Sequence, residues 1–166
     1  MRKILVASSS LVLASALLAS CASEEPQNDA PVEWTEESAF AAAEETYRAF
    51  IEATMPYGDE LALEYLAGDF RAREAQAMQE YRERGIELSG ESIVTSFDGV
   101  DFSLIGGSAS VTAHACHDDS DTWIKLPDGE PESAREEPLY QAEIEFVSVD
   151  GELRITSMTE RAEPKC

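Results

Sequence analysis

The spacing of apolar residues changes once along this chain, and that change restricts the fold more than any other feature. Between Thr35 and Arg84 apolar side chains recur every three or four residues; between Ser92 and Glu160 they alternate. The first pattern is the buried face of a helix and the second that of a half-buried strand. Phe40, Ala43, Tyr47, Phe50, Ile51 and Thr54 make one face of a first helix. Thr35 is its expected N-cap, Glu36 and Glu37 place negative charge at the positive end of the helix dipole, and Pro56 and Gly58 stop it near Met55. Glu44 and Arg48 pair on the opposite face. A short second helix is expected from Asp59 to Ala67, with Leu61, Leu63, Tyr65 and Leu66 as its apolar content. A third is expected from an Asp69 cap to Arg84, with Phe70, Ala77, Met78 and Tyr81 inward and Gly85 as the stop.

The strand half divides into Ser92–Phe97, Val100–Ile105, Ser108–His117, a short Trp123–Leu126, and Leu139–Val149. In the last, Tyr140, Ala142, Ile144 and Phe146 share one face, opposite Gln141, Glu143 and Glu145. Pro127–Gly129 reads as a turn, and Asp150-Gly151 as a type I′ hairpin that returns the chain along Leu153–Glu160. Helices first and a meander of strands after imply α+β: about three N-terminal helices packed on one face of a curved antiparallel sheet.

Three passages, AFAAAEETYRAFIEAT, YRERGIELSG and VDGELRITSM, resemble the nuclear-transport-factor-2-like (SnoaL-like, cystatin-like) fold of small lipoproteins from Gram-positive, high-GC bacteria. The resemblance is one of pattern and extends from Glu36 to Glu160. It implies a sheet curled into a cone around an apolar pocket. Some members isomerise or cyclise small molecules there with an Asp, His or Tyr, and others only bind ligands or proteins, so fold alone does not choose.

The N-terminus, MRKILVASSSLVLASALLASCAS, carries Arg2 and Lys3 before an apolar run from Ile4 to Leu18. That run is too short for a comfortable bilayer span and ends in small residues, so 1–20 reads as a signal peptide. Leu18-Ala19-Ser20-Cys21 resembles a bacterial lipobox. The resemblance implies cleavage between Ser20 and Cys21 and diacylation of Cys21, which would hold the protein on the outer, extracytoplasmic face of the cell membrane. Ala22 leaves no aspartate there as an inner-membrane retention signal. Residues 21–34, the lipidated cysteine and an acidic stretch with Pro26 and Pro31, read as a flexible tether. Residues 35–166 are then a single domain.

Charge narrows the partners. The chain has 12 Lys+Arg against 34 Asp+Glu, a formal net charge of −22. Such a surface repels phosphate backbones, which argues against nucleic acid binding. The expected partners are the lipid bilayer through acylated Cys21, and an envelope protein or a small apolar ligand; no cofactor motif is present.

The stretch AHACHDD, Ala113 to Asp119, holds both histidines and one of the three cysteines. With Cys21 consumed by lipid, Cys116 and Cys166 are left together in an oxidising compartment, where a disulfide is the expected state. Strand alternation puts His114 and Cys116 on one face, and His117 on the other with Ala109, Ala113 and Ala115 if the strand runs that far, or at its frayed end if it does not. The histidines therefore diverge, and a tetrahedral zinc set is not expected. Asp118, Asp119 and Asp121 hint at calcium, but Trp123 and Ile124 stand where the EF-hand pattern needs Asx and Gly, so a solvated turn between strands is preferred. His114 is the candidate base if the cone is catalytic, with Tyr81 or Tyr47 as its partner. The reading that results is a non-enzymatic, membrane-anchored interaction domain; the alternative is an isomerase or cyclase using His114.

Overall fold

Thr35 and Ser38 start the first helix by exchanging hydrogen bonds. The Ser38 amide donates to Thr35 Oγ1 at 3.2 Å and the Thr35 amide to Ser38 Oγ at 2.9 Å, a reciprocal capping box. This is seen in a computed structural model of the chain, which describes residues 32–55, 60–162 and 166, all within one unit, Pro31–Cys166. The signal segment, Cys21, most of the tether, and the expected stop at Pro56 and Gly58 lie outside the described residues.

Helix α1 runs Glu36–Thr54 and helix α2 Gly68–Arg84, with a 3-10 helix, Glu60–Tyr65, between them. The short second helix is thus the tighter 3-10 form. Asp69 is not the cap of α2: that place falls to Ala67, which makes no side-chain bond, and Asp69 sits in the first turn, where its charge still suits the dipole. Gly85 ends α2 in the left-handed conformation.

The strands are β1 Glu87–Ile105, β2 Ser108–Lys125, β3 Glu132–Ser133, β4 Leu139–Val149 and β5 Glu152–Glu160, in an antiparallel sheet ordered β1-β2-β4-β5 with β3 on β2. The protein is α+β, with its helices packed on the sheet. Two pairs of expected strands merge: 92–97 with 100–105, and 108–117 with 123–126. β-Bulges make this possible. The β1–β2 register slips between Val94 and Ser96 and between Gly99 and Asp101, each leaving one extra residue in β1, and slips the other way between Glu91 and Ile93. Each bulge bends the strand without ending it. In consequence Asp118–Asp121 is not a turn but lies within β2. Asp150 (φ 51°) and Gly151 (φ 83°) form the left-handed turn between β4 and β5.

The core lies between α1 and the concave face. Ala39 and Ala43 of α1 face Ala109, Ala113 and Ala115 of β2 and Ala142 of β4, all buried, so helix and sheet approach closely. Phe50, Phe146, Ile144, Leu153 and Ile155 fill the larger volumes, and Phe70 and Met78 bring α2 onto the same cluster. At Gly99 an added Cβ would stand 2.4 Å from the Phe40 ring, so glycine is what allows α1 to cross β1 there.

Candidate functional site

The apolar pattern on this face breaks first at His117. His117 follows Ala109, Val111, Ala113 and Ala115 in the inward row of β2 and is 1% exposed. Tyr47 of α1, fully buried, reaches its Nε2 at 2.6 Å. Ser92 Oγ of β1 lies 3.4 Å from Nδ1 and 2.5 Å from Asp119 Oδ1. Tyr140, directly opposite His117 on β4, stacks on the imidazole with centroids 4.7 Å apart and planes 10° apart. Arg135, from the segment before β4, covers the far face of Tyr140 at 4.0 Å and pairs with Glu160 of β5.

The direction of these bonds follows from the groups. The Asp119 carboxylate can only accept, so Ser92 donates to it. Ser92 has no second proton, so His117 Nδ1–H donates to Ser92 Oγ. A neutral ring then accepts from the Tyr47 hydroxyl at Nε2. Burial lowers the His117 pKa from 6.5 to about 4; Asp119 pulls upward against this and Arg135 adds to the lowering. Burial, then the neighbouring Tyr140 and Asp119, hold Tyr47 well above the usual phenol range, and burial with Asp119 does the same to Tyr140. At neutral pH the chain Tyr47–His117–Ser92–Asp119 is fully bonded around a neutral imidazole. Among the described residues no buried side-chain nitrogen or oxygen lacks a partner.

Alternation places Asp119 here, and the bulge between Glu91 and Ile93 moves the inward position that follows it. Inward positions before the bulge are 115, 117 and 119, and after it 122; Asp119 and Thr122 are both buried. Glycine is required opposite. Gly90 has φ 107°, and a Cβ on it would stand 1.8 Å from the Asp121 carbonyl oxygen.

No protein-family model and no curated protein matches the chain. Among solved structures, the intermembrane space region of the chloroplast protein ARC6 is similar, with a TM-score of 0.55 and 13% identity over 80% of this chain and 100% of that one. At that identity the likeness is one of fold. A SEC-C motif containing protein from Rhodopseudomonas palustris, at TM-score 0.35 and 12% identity over 72% of this chain and 75% of that one, is too distant to carry an argument.

The expected site residues are placed differently from one another. Cys116 and Cys166 are joined, with Cα atoms 5.6 Å apart. His114 is not in the concavity. It lies on the opposite face of β2, where Nε2 is 3.0 Å from Glu143 Oε2 and Nδ1 accepts from Arg161 at 2.8 Å. Strand alternation is the reason: His114 and His117 are three positions apart, an odd number, so Tyr47 meets the second histidine and not the first. Asp118, Asp119 and Asp121 do not converge. Asp118 accepts from the Ser120 amide at 3.0 Å, bonds from Ser120 lower its pKa, Asp119 turns inward to Ser92, and Asp121 is exposed. Among the described residues no group of three His, Cys, Asp or Glu side chains is placed to hold a metal.

Two concavities adjoin the cluster. One, of about 360 Å³, lies between the end of α1 and β1, lined by Arg48, Ile51, Met55, Ser92 and Ile93 among others. The other, of about 270 Å³, is lined by Thr95, His117, Leu139 and Cys166. The residues missed from sequence, Ser92, His117, Tyr140 and Arg135, left one signal: a histidine and a tyrosine in otherwise apolar inward rows.

Proposed function

We propose that this protein is a lipid-anchored, extracytoplasmic interaction domain, held to the outer face of the cell membrane through Cys21 and recruiting an envelope protein. The observation that carries the reading is the Cys116–Cys166 disulfide, a bond that persists in oxidising compartments and is rare inside cells. It agrees with the Arg2-Lys3 leader and the Leu18–Cys21 lipobox. The acidity of the chain supports a partner that is a cationic protein and argues against nucleic acid.

The alternative, an isomerase or cyclase, would have to run through His117 in place of His114. A general base works best with a pKa near the operating pH. His117 is held at about 4, and both of its nitrogens are engaged within the core. Those facts favour a structural role for the cluster and an interaction role for the domain. The test is fractionation of cells expressing Cys21→Ser. The variant is expected in the soluble extracytoplasmic fraction, with the parent protein in the membrane. Membrane retention of the variant, or recovery of either form from the cytoplasm, refutes the reading.

A further inference from the structure

The outer face of the sheet carries a second polar chain, and it ends on the disulfide. It runs through Glu143, His114, Arg161 and Gln141 to Cys116, across β4, β2 and the segment after β5. Glu143 Oε2 is 3.0 Å from His114 Nε2, and Arg161 Nη1 is 2.8 Å from His114 Nδ1. The same Nη1 is 3.0 Å from Gln141 Oε1, and Gln141 Nε2 is 4.0 Å from Cys116 Sγ. A guanidinium can only donate, so His114 Nδ1 and Gln141 Oε1 accept from Arg161, and His114 Nε2–H donates to Glu143. The Gln141 side-chain amide then turns an N–H towards the sulfur.

The two sulfurs of the disulfide are therefore unlike. Cys116 is 4% exposed and faces a donor backed by a guanidinium. Cys166 is exposed, and its Sγ stands 3.2 Å from an acceptor, the Tyr140 carbonyl oxygen. The concavity of about 270 Å³ lined by Thr95, Leu139 and Cys166 among others adjoins it. In thiol–disulfide exchange a thiolate attacks one sulfur and the other leaves with the electron pair; a sulfur that bears charge well leaves faster. Apolar burial alone makes a poor place for that charge. At Cys116 the Gln141 amide and Arg161 offset the burial, whereas at Cys166 the carbonyl oxygen opposes charge. Access and charge thus select the same direction of attack.

We propose that Cys116–Cys166 is an exchange site for a dithiol partner. A partner thiolate attacks Cys166 Sγ, a mixed disulfide forms there, and Cys116 departs as a thiolate held by Gln141. Cys116 stays beside that adduct, so a monothiol is expelled when Cys116 returns. A dithiol escapes this: its second thiolate attacks its own sulfur in the mixed disulfide and releases Cys166. The dithiol is oxidised to a disulfide, this chain is reduced, and the two protons the dithiol gives up end on Cys116 and Cys166. This chemistry goes beyond the interaction reading and does not rest on it.

The test uses the oxidised full chain carrying Cys21→Ser, under native conditions, with dithiothreitol as the dithiol. Reduction is expected to be first order in dithiothreitol and much faster than global unfolding. With β-mercaptoethanol and an acid quench, peptide mass is expected to place the adduct on Cys166 and the free thiol on Cys116. Gln141→Leu and Arg161→Leu are each expected to slow native reduction at least about tenfold. In urea, where the polar chain is gone, parent and variants should react alike. A merely structural role has the opposite sign, because losing it loosens the segment and speeds reduction. Variants as fast as the parent or faster, an adduct on Cys116, or a rate limited by unfolding overturns the proposal. The adduct is mapped on the parent chain, so that result stands even where circular dichroism shows a variant to be unfolded.

Discussion

Acid should find His117 before it finds anything else in the core. The imidazole has a folded pKa of about 4 against an ordinary value of 6.5. Between those values the unfolded chain binds a proton that the native one excludes. The stability contributed by the neutral, buried ring is therefore complete above about pH 6.5 and is lost as pH falls towards 4. The full difference is worth about 3 kcal/mol, of which about 2 kcal/mol is gone by pH 5. The 34 carboxylates act in the opposite sense, because neutralising some of them relieves the repulsion of a −22 chain. A comparison with His117→Gln cancels that background. Glutamine does not titrate and its carbonyl can still accept from Tyr47, so the substitution is expected to cost about 1–3 kcal/mol at pH 7.5. At pH 5 the gap between parent and variant should shrink by about 2 kcal/mol. Urea unfolding followed by tryptophan fluorescence measures it, and the His117 ring-proton resonance should titrate near pH 4. An unchanged gap, or a midpoint near 6.5, would refute the closed, neutral cluster.

Two other expectations concern the scaffold. The Cys116–Cys166 bond closes a sequence separation of 50, for which the chain-entropy estimate is about 4 kcal/mol. Reduction should lower stability by up to that amount, and intact mass should rise by two protons. Thiol labelling of the native, unreduced chain at Cys116 would contradict the pairing. Gly90→Ala should cost more than about 2 kcal/mol, since its Cβ meets the Asp121 carbonyl at a φ that L residues rarely adopt; a variant with parental urea midpoint would mean that the Glu91–Ile93 bulge is misplaced.

The parts of the fold that were legible are those decided by local chemistry. Thr35 caps α1 because a threonine hydroxyl satisfies a free amide whatever the tertiary surroundings, and Asp150-Gly151 turns the chain because both positions need positive φ. β4 is found at its expected bounds, since strict alternation over Leu139–Val149 admits one reading. The strand breaks expected near Gly99 and Asp118 were misread for one reason. A bulge inserts a residue and shifts the alternation by one, and along a single sequence that shift looks like the end of one strand and the start of another. What distinguishes the two is the partner strand, which no local pattern contains.

The same shift explains why the polar cluster stayed hidden behind a neighbouring histidine. Alternation alone put His117 in the alanine row, but a buried histidine needs partners for both nitrogens, and none lies within three residues of it in sequence except Asp119. Ser92 is 25 residues away and Tyr47 70 residues away, on β1 and α1. Asp119 follows His117 inward by alternation, and the bulge then moves the next inward position to Thr122. The alanines of α1 and β2 are part of the same arrangement. They bring helix and sheet close enough for the Tyr47 hydroxyl to reach Nε2, so the polar chain depends on the small apolar residues around it. Enlarging Ala43 or Ala113 would push α1 outward and cost the Tyr47–His117 bond before it cost the helix.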